Sequence, residues 1–293
     1  ELRSKKTRGN NGMTNRKTST ACLVALAASL LAVSSASAND ISKCPLSGEK
    51  GTVSITPANP GVITVETALP NPAWWNGDTP DQIADGFEYC LAANIAHRAG
   101  FDAVNIVVSS FPALIANNNQ NKDLAMATIS ITEERKKVMS FSAPYFSSDI
   151  GVLVKAGGNL DAAGLKAGRI GVLQGTTGAA YVTDRIQPAE VKVYPENPAM
   201  FAALMAGQID AAINDTSIIL AQASKSNGVL EVLGQYETGE QYGAIYPKDS
   251  PNKEAIDKII EDMRADGTLA KLASTYLTGI WGADPTKIPY LKP

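Results

Sequence analysis

A single histidine, His97, serves 293 residues. Without a second imidazole, neither a Ser-His-Asp arrangement nor a histidine-built metal site is available. Phosphate-cradling loops are missing as well: no Walker loop, no G-x-S-x-G elbow and no strand-borne G-x-G-x-x-G occurs. Catalysis would have to rest on Glu, Asp or Tyr, nothing points to it, and no cofactor is expected. Long apolar runs are also lacking. The one over residues 21–33 is 13 residues long, short of the roughly 20 that a bilayer needs.

That run has a different use. A basic stretch follows Met13, and S-S-A-S-A closes the run at residues 34–38. Basic head, apolar middle and small-residue exit predict a secretory signal peptide cut after Ala38, hence export to the periplasm. Residues 1–12 lie upstream and are set aside with it. Cys22 opens the apolar run with no hydrophobic stretch before it, which disfavours a lipid anchor. The leader takes six of the 26 Lys and Arg and one of the 29 Asp and Glu, leaving a net charge of −8. Such a balance disfavours nucleic acid and anionic membrane as partners.

Cysteine is scarce, three in all, and only Cys44 and Cys90 survive the leader. In an oxidising compartment an even pair reads as a disulfide; two buried thiols are the alternative. About 255 residues exceed a comfortable single core and suggest two lobes.

Residues 39–60, rich in Gly, Pro, Ser and Thr, read as an irregular extension. Thereafter strands and helices alternate: strands over 62–66, 104–108 and 124–128 with helices over 86–99 and 112–118, then strands over 169–173, 191–194 and 209–214 with helices over 178–185, 198–206 and 217–226. The alternation predicts parallel sheets with crossover helices. The extended segments 147–155 and 241–246 join the halves. The expected organisation is lobe 1 over 61–147 and 243–293, lobe 2 over 151–239, and a two-strand hinge near 148–150 and 240–242.

The richest stretch is T-I-S-I-T-E-E-R over residues 128–135, followed by F-S-A-P-Y over 141–145. It resembles the signature of the polar-amino-acid solute-binding proteins of bacterial uptake ABC transporters (bacterial extracellular solute-binding proteins, family 3). Q-G-T-T-G-A at 174–179, Q-Y-G-A-I-Y-P-K at 241–248 and D-G-T-L at 266–269 extend the likeness from residue 62 to residue 276. G-F-E-Y-C-L at 86–91 departs from the G-F-D-x-D-L common in that family. The resemblance implies an α/β, two-lobed periplasmic-binding-protein fold (type II) that binds its ligand in the interlobe cleft, as a monomer, and delivers it to a membrane permease.

The resemblance also implies a ligand set. A guanidinium grips a carboxylate bidentately, so Arg135 meets the α-carboxylate, with Thr177 and its neighbour Thr176 opposite at a helix entry. Asp215, at a strand exit, accepts from the α-ammonium, and Thr128 and Ser130 complete the frame. Read without the resemblance, the Thr pair is a plain helix entry, Asp215 an ordinary N-cap, and Arg135 a surface charge. Glu66, Phe111, Trp74 and Trp75 are expected around the ligand's side chain, with core packing as the alternative for the aromatics. An unpaired Glu66 would favour a free amino acid, or close derivative, with a basic or amide side chain. The runner-up is an exported cyclohexadienyl (arogenate) dehydratase-like enzyme on the same fold, with Glu66 as its acid.

Overall fold

The structure is a computed structural model; it describes residues 38–158 and 160–292. The leader assignment, apart from Ala38, lies outside the described residues.

Two mixed sheets form the framework. The first carries β1 (Asn39–Asp40), β2 (Ile63–Thr67), β3 (Ala103–Val108), β4 (Leu124–Ala125) and β5 (Ser140–Phe141), with β11 (Ile245–Tyr246) returning late in the chain. Its order is β1-β3-β2-β4-β11-β5. The second carries β6 (Phe146–Lys155), β7 (Arg169–Leu173), β8 (Glu190–Tyr194), β9 (Ala211–Asp215) and β10 (Leu230–Tyr242), in the order β10-β6-β9-β7-β8. The strands at the heart of each sheet pair in parallel: β2 with β3 and β4, and β7 with β8 and β9. The alternation in the sequence had implied this. β2 is buried along its whole length, as expected for a strand covered on both faces.

Helices supply that cover. α1 (Phe87–Arg98) and α2 (Phe111–Ile115) cross over between strands of the first sheet, and α3 (Glu133–Lys136) is a single turn after β4. In the second sheet α4 (Ala162–Ala167), α5 (Thr177–Tyr181), α6 (Asn197–Met205) and α7 (Thr216–Lys225) do the same. The predicted helix over 178–185 is α5 continued as a π-helical turn, Val182–Ile186. α8 (Lys253–Ala265), α9 (Thr268–Ala273) and the short α10 (Gly279–Trp281) follow β11. α8 packs its Ile256, Ile259, Ile260 and Met263 onto the first sheet's core, a 3.6-residue stripe.

The chain passes between the sheets in β6 and β10. These pair antiparallel from Leu230 opposite Lys155 to Tyr242 opposite Phe146. Near its end β10 also touches the first sheet's side, where Tyr242 bridges to Ser130. Two details differ from expectation. The N-terminal extension begins as an edge strand, β1, against β3. Residues 289–291 lie along β10, where Gln235 N–H donates to Pro289 and Leu291 N–H to Gln235, so the final stretch meets the second sheet. Cys44 and Cys90 form a disulfide that ties the extension to α1.

Candidate functional site

A cavity of about 190 Å³ opens where loops from both sheets converge. Crevices beyond the carboxyl ends of parallel strands are the usual ligand sites of such folds. Seven of the residues singled out above line it: Phe111, Thr128, Ser130, Arg135, Thr176, Thr177 and Asp215.

Arg135 is held by α3, whose N-cap Thr132 accepts from the Arg135 N–H. Its guanidinium is buried and stays beside the ring of Phe111, 6.0 Å from the centroid. Nη1 donates to the Ser130 carbonyl at 2.6 Å, and Nη2 donates across the cleft to the Gly175 carbonyl at 2.9 Å. A guanidinium has five N–H donors, so three remain to meet an anion. Burial pulls its pKa down, while the charges of Asp215 and Glu240 oppose that.

Opposite lies the entry of α5. Thr176 is its N-cap: the hydroxyl accepts from Ala179 N–H and donates to the Leu173 carbonyl, so Thr176 shapes the turn more than it offers a free group. Thr177 follows with its hydroxyl turned to Glu240, donating at 2.8 Å. Ser130 donates its own hydroxyl to the same oxygen of Glu240. One carboxylate oxygen on β10 thus joins a residue from each side of the cleft.

Asp215 closes β9 and is almost wholly buried. The Tyr242 hydroxyl donates to its Oδ2 at 2.5 Å, and Ser217 is hydrogen-bonded to that phenol in turn. Burial, and next the charge of Glu240, push the Asp215 carboxyl up to about 7, against the pull of Tyr242 and Arg135. An arriving cation would relieve this cost.

Thr128 holds φ +53°, a left-handed conformation that β-branched residues seldom adopt. Its N–H donates to the buried Glu88 at 2.7 Å. Glu88 also accepts from Trp75 Nε1 and from the Tyr145 hydroxyl. Burial pushes its carboxyl up to about 7.

Three expected side-chain contacts are corrected. Trp74 and Trp75 sit in a turn, yet both are fully buried and neither lines the cavity. Trp74 packs edge-on against Phe87, Phe146 and Tyr242, and Trp75 is anchored to Glu88. Their large apolar area goes into the first core rather than toward a ligand. Glu66 does not line the cavity either. Lys122 Nζ lies 2.5 Å from one of its oxygens and Ser109 donates to the other. Lys122 pairs it inside the protein, so Glu66 asks for no cation from a ligand.

Glu240, Tyr242, Glu88 and Asn71 were not singled out from the sequence. Glu240 and Tyr242 stand two apart on a strand and so share a face. Their place in the crossing segment 240–242 is the one sequence signal that pointed to them. Glu88 stands in the G-F-E-Y-C-L segment, noted only for its departure from the family pattern, and nothing local distinguishes Asn71.

The profile of the bacterial extracellular solute-binding proteins, family 3, matches residues 63–279. The chain is 30% identical over 231 residues to the L-cystine-binding protein TcyJ of Escherichia coli (strain K12), covering 77% of this chain and 84% of that protein. Over 210 residues it is 30% identical to the histidine-binding periplasmic protein of Salmonella typhimurium, with 65% and 78% covered. Among solved structures, an ancestral arginine-binding protein bound to glutamine superposes with a TM-score of 0.68 at 30% identity, covering 74% of this chain and 98% of that one. Sequence signature, two-lobed fold and a cleft with opposed guanidinium and carboxylate lead to one family: the chain belongs to the bacterial extracellular solute-binding proteins, family 3.

Proposed function

We propose that the cleft captures a free amino acid in the periplasm and delivers it to the permease of an ABC importer. Supporting this is a single juxtaposition: buried Arg135 of α3 and buried Asp215 of β9, opposite in charge, line one cavity. A zwitterion satisfies both at once. Its α-carboxylate meets the free N–H groups of Arg135 and the entry of α5 at Thr177. Its α-ammonium meets Asp215, with Thr128 and Ser130 completing the frame. Because the ligand touches both lobes, it favours the closed form through contacts that the open form lacks.

Calorimetry on paired ligands tests these roles. Arg135→Ala should weaken an amino acid and its deaminated analogue alike, by about 3 kcal/mol or more. Asp215→Asn should weaken the amino acid and spare the analogue. Equal losses for both ligands in Asp215→Asn would rule out the ammonium contact.

A further inference from the structure

The cleft does not end at its own walls. Pro70, Asn71, Asn197, Pro198 and Ile218 line it and also line an adjoining groove of about 230 Å³. Beyond them the groove runs over Phe201, Met205 and Gln222. No charged side chain lines it among the described residues. Phe201 comes from α6 and is nearly buried; Met205, at the end of that helix, is 44% exposed.

One polar group at the junction stands out. Asn71 is 8% exposed, and its side-chain amide has no hydrogen-bond partner among the described residues, though it lines both spaces. The amide is open to the cavity, so a ligand passing this point meets a donor and an acceptor not engaged by the protein. The nearby amide of Asn197 accepts from Asn214 through its oxygen and keeps its N–H groups free. The charges that might have called for a cationic side chain are disposed of: Glu66 is paired with Lys122, and Glu196 is exposed at the rim, where solvent screens it.

Resting on the amino-acid reading above, we propose that the groove is a second subsite. Its ligand class is an α-amino acid with a long side chain of no net charge. The zwitterionic head stays at Arg135 and Asp215, the side chain passes Asn71 with a hydrogen bond, and its distal half lies on Phe201 and Met205. Apolar area on that floor rewards length, while a bare terminal ammonium or guanidinium there would lose water without gaining a partner.

Calorimetric titration of the purified protein with three probes separates the outcomes. N5-Ethyl-L-glutamine is long, with a neutral amide and an apolar tip; L-2-aminobutyrate shares its first side-chain carbons but is short, and L-lysine is long and cationic. Ethylglutamine should bind at least about tenfold more tightly than either of the others. Met205→Trp, on an exposed position that tolerates bulk, should abolish that gain by filling the groove and leave 2-aminobutyrate within about twofold. Asn71→Ala should weaken ethylglutamine more than 2-aminobutyrate. If 2-aminobutyrate or lysine equals ethylglutamine, or if Met205→Trp leaves ethylglutamine unchanged, the subsite is refuted while the amino-acid reading stands. If no amino acid binds, both fall.

Discussion

Two carboxyls in this protein, those of Asp215 and Glu88, are pushed up to about 7 chiefly by burial. For Asp215 this has a sign that can be worked through. A ligand ammonium requires the carboxylate, so below pH 7 binding must first expel a proton. Amino-acid affinity should fall by about tenfold per pH unit below 7 and level off above it. Calorimetry across that range checks it; a flat profile below pH 7 would remove Asp215 from the ammonium site. Stability runs the other way. A carboxyl raised in the folded state stabilises the fold fully below its ordinary 3.8, and that contribution is lost as pH rises toward 7. The Lys122–Glu66 pair is another matter, since both side chains are almost completely buried, at 0% and 3% exposure. Lys122→Met leaves a carboxylate stranded in the core and should cost about 3–5 kcal/mol of unfolding free energy. Adding Glu66→Gln should recover part of the loss, and chemical denaturation of the single and double variants reads it.

At the scale of elements, β10 is the strand to watch. Its Glu240 holds Ser130 and Thr177 from the two sides of the cleft, and its Tyr242 holds Asp215. Glu240→Ala removes a contact available only when the two sides meet, so the closed arrangement becomes rarer. Every amino acid should then bind more weakly by one common factor, on the order of tenfold. Glu240→Gln, which keeps an acceptor oxygen, should restore most of it. Losses that differ from ligand to ligand would sink this role. The same strand shows where sequence reading stops. Arg135, Thr177 and Asp215 could be singled out because each stands in a motif that resembles the family's; read alone, they are a surface charge, a helix entry and an N-cap. Glu240 finds its partners 63 and 110 residues away, and no local pattern encodes such a meeting. Glu66 was expected to face the ligand from its position in the family pattern, but Lys122, 56 residues on, claims it. Trp74 and Trp75 misled for the opposite reason: a polar, Pro-rich turn reads as surface, and Phe87 and Phe146 cover Trp74 while Tyr89 packs on Trp75. The parallel cores, by contrast, followed from the alternation of elements alone.

Across the whole molecule, the Cys44–Cys90 bond closes a span of 46 residues and ties the N-terminal extension to α1, away from the cleft. Opening it by reduction or by paired Ser substitutions should cost about 4 kcal/mol and lower the thermal midpoint by about 10 °C. Ligand affinity should be untouched. An unchanged midpoint in differential scanning calorimetry would show that the bond contributes nothing to stability. The burial of the three tryptophans has a practical side. Trp74 and Trp281 both lie edge-on to Phe146, the first residue of β6, whose register partner is Tyr242 of β10. Trp75 is anchored behind Thr128 through Glu88. None of them can be touched by a molecule in the cleft. Intrinsic emission is therefore a gauge of movement in the crossing strands: a fluorescence titration on this protein reports the bending of its backbone, not the arrival of its cargo, and iodide should quench it poorly throughout.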